Sequence, residues 1–174
     1  GIVIEPLRDF FEELKVNYEK CPQVIPVNVA IHNSEKEMTL YRVDPKRLND
    51  LPEWSKGIAS FNKEHHQLSD TPTDVILQEK VKCVSLNKLL DDYQVTKVDL
   101  LQIDTEGYDS EIVLNIDFKR FRPAIIHFEH GLSAGVLSRE KLLKVVDVLH
   151  ENGYELWMDR YDITAYQYNI FIDL

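Results

Sequence analysis

Cysteine is scarce in this 174-residue chain: Cys21 and Cys83 are the only two, far apart and in no metal-ligand spacing. A disulfide framework and a zinc site are therefore not expected. Long apolar runs are missing too. None approaches the ~20 residues of a membrane-spanning helix, and no basic flank or signal-like apolar core marks the N-terminus. Basic charge is in short supply, with 20 Lys+Arg against 30 Asp+Glu and a formal net charge of −10. Such a chain repels phosphate backbones and anionic headgroups, so neither nucleic acid nor a membrane is an expected partner. Several catalytic signatures are also absent. Without a Gly-x-Ser-x-Gly elbow, a Walker-type loop or a His-Glu-x-x-His pair, serine hydrolase, nucleoside triphosphatase and zincin readings lose their central residues.

What is present is ordinary for a globular protein: 44% hydrophobic and 29% charged residues. At this length folding buries roughly 70% of the unfolded chain's surface, so no covalent staple is needed. No repeat, low-complexity tract or linker divides the sequence, which predicts a single domain over 1–174 in a cytoplasmic protein. The chain starts without Met, directly inside the apolar run Gly1-Ile2-Val3-Ile4. A start of this kind is expected of a chain with further residues upstream.

Ile2 to Ile4 is a β-branched run closed by Glu5-Pro6, the pattern of a buried parallel strand. Leu7 to Tyr18 has apolar residues at helical spacing behind Pro6. Val24 to Ile31 and Met38 to Val43 read as strands, and the His32-Asn33-Ser34 turn predicts that they pair antiparallel. A long irregular stretch at about 44–80, rich in Pro and charge, is expected to be an insertion or lid. Val81 to Val84 predicts a brief strand, and Ser85 caps a helix over Leu86 to Tyr93. Val98 to Asp104 is a buried strand leading to a helix at Gly107 to Leu114, and Ala124 to Phe128 is a further strand. Ser138 to Glu151 is an amphipathic helix with Leu142, Leu143, Val145, Val146 and Leu149 inward, ended by Asn152-Gly153. Tyr154 to Met158 and Tyr168 to Ile172 complete the series as strands around a turn at Asp159 to Thr164. Alternating strands and helices mean an α/β fold with a mostly parallel sheet and an antiparallel final pair.

Ligands on such sheets lie outside the carboxyl ends of the strands. Three places qualify. Glu5 ends the first strand, where one carboxylate can accept both hydroxyls of a ribose; a solvated strand-end charge is the other reading. Asp104, Thr105 and Glu106 follow the Val98 strand, ahead of Gly107. Two acids on one short loop raise each other's pKa and suit a site for a cation or a hydroxyl proton, but they also suit the start of a helix. Glu129 and His130 end the Ala124 strand, where His is a natural base near neutral pH. His127 reads as a satisfied core side chain, and His65-His66 as solvated surface or part of a lid.

The ordered segments Ile2-Val3-Ile4-Glu5-Pro6, Val27 to Ile31, Gly57-Ile58-Ala59-Ser60, Val84 to Leu90, Val98 to Gly107, Arg122 to Glu129 and Asn152-Gly153-Tyr154 resemble the FkbM family of S-adenosylmethionine-dependent methyltransferases. The resemblance implies a Rossmann-like methyltransferase sheet of order 3-2-1-4-5-7-6, mostly parallel with an antiparallel terminal hairpin. It also implies S-adenosylmethionine as cofactor and methyl transfer to a hydroxyl of a sugar, glycan or other small metabolite. Glu5 with Pro6 would hold the cofactor ribose, Val29 and Ala30 would lie near the adenine, and Asp104 with Thr105 and Glu106 would sit beside the methyl group. Glu129 or His130 would face the acceptor, and Lys56 to His66 would cover the cleft. The family's first strand and its Gly-rich turn have no counterpart here, which leaves an expected gap between the Ile2 and Val98 strands. A non-catalytic binding domain on the same scaffold and a metal-dependent hydrolase using Asp104, Glu106, Glu129 and His130 are the competing readings.

Overall fold

The computed structural model describes residues 1–132 and 135–168. It is a mixed α/β structure with parallel and antiparallel pairing in three sheets. β1 (Ile2–Ile4) pairs in parallel with β2 (Ile25–Val27), bridged by α1 (Arg8–Asn17). The second sheet joins β3 (Ala30–Ile31), β6 (Ile76–Val84), β4 (Glu37–Val43) and β5 (Ala59–Ser60) in the order β3-β6-β4-β5. The third runs β7-β8-β10-β9, from β7 (Leu100–Ile103), β8 (Ile125–Glu129), β9 (Tyr154–Met158) and β10 (Asp162–Gln167). β7 and β8 are parallel, whereas β10 is antiparallel to both β8 and β9, as expected for the closing pair.

The main core forms where β8 is paired on both sides. Ile126 and Phe128 on one face of β8 are 0% exposed, as are Val145 and Leu149 of α4 (Arg139–Glu151) and Ile163 of β10. Two further helices, α2 (Leu86–Asp92) and α3 (Asp109–Leu114), add Leu86, Leu90, Ile112 and Val113 to this cluster. Ser85 caps α2 by accepting from the Lys88 N–H, and Ser138 caps α4 in the same way from Lys141.

Several local expectations are corrected. The Val24–Ile31 strand breaks at Asn28-Val29 and serves two sheets. Asn28 turns its amide to the Glu5 and Pro6 carbonyls, at 2.8 and 2.9 Å, which pulls this point of the chain away from a continuous ladder. The predicted antiparallel pair with Met38–Val43 does not form, because β6 lies between β3 and β4. β6 itself starts at Ile76 and spans nine residues, well before Val81. The last strand is β10, so the turn ends at Tyr161; Tyr168 lies beyond β10 and the rest of the predicted Tyr168–Ile172 strand is outside the described residues. Leu143 faces solvent, since the inward stripe of α4 is centred on Val145 and Leu149.

The three sheets are not continuous. In β1 the Glu5 N–H reaches the Val27 carbonyl and the Gly1 carbonyl accepts from Ile25, so odd-numbered residues face β2. By alternation, the main-chain groups of Ile2 and Ile4 face the opposite side. In β7 the Asp99 carbonyl accepts from Ile125, which turns Leu100 and Gln102 away from β8. These two free edges border one cleft, at the place where the sequence resemblance expected a gap.

Candidate active site

The cleft between β1 and β7 has a volume of about 650 Å³, a size usual for small-molecule sites. The carboxyl ends of both strands supply Glu5 and Pro6 from β1, and Asp104, Thr105 and Glu106 after β7, and Gln102 adds a polar side chain from within β7. Val29 and Ala30 contribute from the β2–β3 junction, and Phe10, Leu40, Phe61 and Ile103 supply apolar wall. Six residues expected to hold a cofactor (Glu5, Pro6, Val29, Ala30, Asp104 and Thr105) therefore line one space. Glu129 and His130 are not in its lining.

Each polar group is fixed by its neighbours. The Glu5 carboxylate accepts the Leu7 N–H at 2.7 Å, capping the entry to α1 with one oxygen. Burial raises the Glu5 pKa, and this outweighs the lowering by that backbone bond and by Arg42. Burial also raises the Asp104 pKa, reinforced by Glu106, Asp109 and Asp162. Among the described residues no Lys, Arg or His lines the cleft, and Arg42 acts on Glu5 from outside that lining. Glu129 sits nearby in the same field; burial pushes its pKa up, with Glu106, Asp109 and Asp104 adding to the effect.

Asp109, which sequence reading left without a role, organises the loop. It is 2% exposed. One oxygen accepts from the Thr105 hydroxyl at 2.6 Å and the Thr105 N–H at 3.3 Å, while the other accepts from the Glu129 N–H at 3.3 Å. A carboxylate at the first position of α3 thus ties the end of β7 to the end of β8. Glu106 holds a left-handed backbone, φ +52, ahead of Gly107 at φ +108. For Glu this is a strained conformation, on the order of 1–3 kcal/mol, of the kind that concentrates at functional sites.

The 44–80 segment closes on this strained turn. The Ser60 hydroxyl donates to the Glu106 carbonyl at 2.6 Å, and His65 Nε2 meets Glu106 Oε2 at 2.7 Å. Phe61 packs edge-on to Tyr108 at 5.3 Å, and Tyr108 stacks on His32 at 4.9 Å. Gly57, Ala59 and Phe61 line the cleft. His65 and His66 are buried, contrary to the surface expectation: the first is held by Glu106, and the second meets the Thr73 hydroxyl at 3.1 Å. An isolated His pair between Glu64 and Gln67 gave no hint that a strand-end acid would hold it.

His130 is 3% exposed, and both ring nitrogens are engaged by backbone: Nδ1 accepts from Leu132 N–H, and Nε2 approaches the Asp159 carbonyl at 3.3 Å. His127 bonds the Thr164 hydroxyl at 2.8 Å across β8 and β10, but it is half-buried on the face of β8 opposite Ile126 and Phe128, so the expected core position is corrected. Among the described residues no group of three or more His, Cys, Asp or Glu side chains is placed to hold a metal ion. No helix among them is long and apolar enough to cross a membrane.

An α/β scaffold with acids at adjacent strand ends over a cation-free cleft is the plan of a small-molecule enzyme. Residues 1–156 match the methyltransferase FkbM domain, and the chain belongs to that family of methyltransferases. No curated protein and no solved structure matches it.

Proposed function

We propose that the protein is an S-adenosylmethionine-dependent O-methyltransferase of the cytoplasm that acts on a hydroxyl of a sugar, glycan or other small metabolite. The observation that carries this reading is the pairing of Glu5 and Asp104 in one cleft that holds no cationic side chain. Half-buried acids that line a cleft with no cationic side chain in its lining suit a ligand that brings its own positive charge. They also disfavour a nucleotide cofactor whose phosphates would need Lys or Arg. The chemistry of the lining fits an adenosyl sulfonium: apolar wall for the base, a carboxylate for two vicinal hydroxyls, and acids near the charged end. When bound, such a cofactor supplies an electrophilic methyl group.

In this reading Glu5 accepts the ribose hydroxyls, and its lone pairs are aimed by the Leu7 N–H and by the Asn28 bonds that hold the Glu5-Pro6 turn. Val29 and Ala30 flank the base. Thr105, locked by Asp109, presents the loop after β7 at a fixed height, and Asp104 sits at the charged end. The protein's contribution is then mainly positioning and exclusion of water by the lid. The Rossmann-like sheet order is part of the same proposal, since β2-β1 and β7-β8-β10-β9 reproduce its two outer segments on either side of the cleft. A non-catalytic domain would be favoured by strand ends filled with side chains, and the open cleft supports the enzyme instead.

Calorimetric titration with S-adenosylhomocysteine tests the reading, on protein that includes any residues natively preceding Gly1. Saturable heat is expected, with a loss of about tenfold or more in affinity for Glu5→Gln, on the order of one charge-assisted hydrogen bond. No heat from the wild-type protein would refute it.

A further inference from the structure

A second pocket of about 440 Å³ shares Glu106 with the strand-end cleft. The 44–80 segment supplies Asn62, Glu64, His65 and Gln67 to it, and the β7–α3 turn supplies Glu106 and Gly107. We propose that this second pocket receives the acceptor as a neutral, polyhydroxylated ring of sugar type, and that His65 is the catalytic residue that takes its proton, held in place by Glu106. The inference rests on the methyltransferase reading of the neighbouring cleft and names the base and acceptor site that reading leaves open.

Three observations support it. With Glu106 ionised, the 2.7 Å contact to Nε2 selects the tautomer in which Nε2 carries the proton and donates. His65 Nδ1 is then an unprotonated acceptor, and it has no hydrogen-bond partner among the described residues. It lies over the bare Cα of Gly107: a methyl added there would sit 3.8 Å from Nδ1 and 3.1 Å from Val136. A base oriented by a carboxylate through its far nitrogen is the arrangement that activates hydroxyls in other enzymes. The lining also decides the ligand class. Among the described residues the acidic side chains at this pocket are Glu64 and Glu106 and no Lys or Arg lines it, so a phosphorylated or carboxylated acceptor would be repelled. Asn62 and Gln67 offer the amide groups that hydroxyls pair with.

In the transfer step the acceptor oxygen bonds the methyl carbon as its proton passes to His65 Nδ1. The carbon–sulfur bond breaks with its electron pair left on sulfur, and the sulfonium becomes a neutral thioether. The imidazolium formed is stabilised by Glu106 and later gives the proton to solvent.

The test begins with the wild-type protein saturated with S-adenosylhomocysteine. Its histidine ring resonances are followed by NMR during titration with methyl glycosides of neutral hexoses and 6-deoxyhexoses. At least one glycoside is expected to shift the His65 ring signals saturably. For that glycoside, His65→Gln should lower methyl transfer about 10²–10⁴-fold, leave S-adenosylhomocysteine affinity within about twofold, and abolish the rise of rate with pH through the histidine range. If no glycoside moves His65 in the saturated protein, or if His65→Gln keeps the wild-type rate and pH profile, the inference is overturned while the cofactor reading stands. Failure of the wild-type protein to bind S-adenosylhomocysteine overturns the cofactor reading instead.

Discussion

Replacing Asp109 by Asn exchanges one carboxylate oxygen for an NH2 group in a side chain that is 2% exposed. The Asp109 oxygens face hydrogen-bond donors only: the Thr105 hydroxyl at 2.6 Å and N–H at 3.3 Å on one, the Glu129 N–H at 3.3 Å on the other. An amide can satisfy one side. If its oxygen takes the two Thr105 donors, its NH2 points at the Glu129 N–H, and that buried donor loses its partner. A buried group left unsatisfied costs about 1–3 kcal/mol, so Asp109→Asn should destabilise by about that much. For a domain of this size, that corresponds to about 2–4 °C in Tm for each kcal/mol. Asp109→Ala removes both acceptors and should cost more, about 3–5 kcal/mol. Urea unfolding with linear extrapolation measures both. Because the same carboxylate sets the height of Thr105 in the cleft, affinity for S-adenosylhomocysteine should fall alongside stability in the Asn variant. A variant within about 0.5 kcal/mol of wild type, with unchanged m and unchanged affinity, would show that the β7 and β8 ends are not held by this residue.

Arg42→Met should cost about 3 kcal/mol in the same assay. Arg42 is 3% exposed, grips Asp9 at 2.7 and 2.8 Å and Glu79 at 3.1 Å, and lies over Phe10, so its removal strands two acids. The Arg42 hydrogen bond lowers the Asp9 pKa. This part of the stability is complete above the usual carboxylate range and is lost as pH falls through the depressed value; unfolding curves of wild type and Asp9→Asn should converge there. Asp104→Asn has the opposite sign. The Asp104 pKa is raised by burial and by its acidic neighbours, so ionisation destabilises the native state as pH climbs past the ordinary Asp value. The variant should therefore be more stable than wild type at neutral pH, with a gain that disappears in acid, and should bind cofactor more weakly; a gain independent of pH would contradict the assigned cause. Gly131→Ala should destabilise by about 1–3 kcal/mol by thermal unfolding, because φ is +53 and the new Cβ would lie 2.6 Å from that of Val136.

The strand ends were legible because apolar runs mark strands. Ile2 to Ile4 is apolar throughout, Leu100 to Ile103 and Ile125 to Phe128 are interrupted only by Gln102 and His127, and the acids that follow them lie where such strands open to ligand. The expectation that the first two are buried is corrected: β1 is half-buried and Leu100 of β7 is exposed, because both strands border the cleft on an unpaired edge. β6 was not, for a physical reason. Its inward positions are Leu77, Glu79, Val81 and Cys83, while Gln78, Lys80 and Lys82 are exposed. Glu79 occupies an inward place because Arg42, inward on β4, needs it. This ion pair puts a charge at an inward place of β6 and breaks its alternation, and Ile76 to Lys80 read as irregular chain. The antiparallel pairing assigned to Met38–Val43 failed for the same cause, since the strand it pairs with had not been seen.

The lid shows a further limit of local pattern. His65, Ser60 and Phe61 carry no signal as a group, because what unites them is the Glu106–Gly107 turn, 41 residues from His65 to Glu106 along the chain. Glu106 is held at φ +52, and it accepts at both its carbonyl and its carboxylate from the lid. An acid in a strained turn, bonded twice to the 44–80 segment and lining two pockets, is poorly explained as a helix start alone. Asp109, not Glu106, is the acid that serves the first turn of α3 and the neighbouring strand end. The two carboxylates divide the work: Asp109 supplies structure, and Glu106 is left to join the lid to the chemistry.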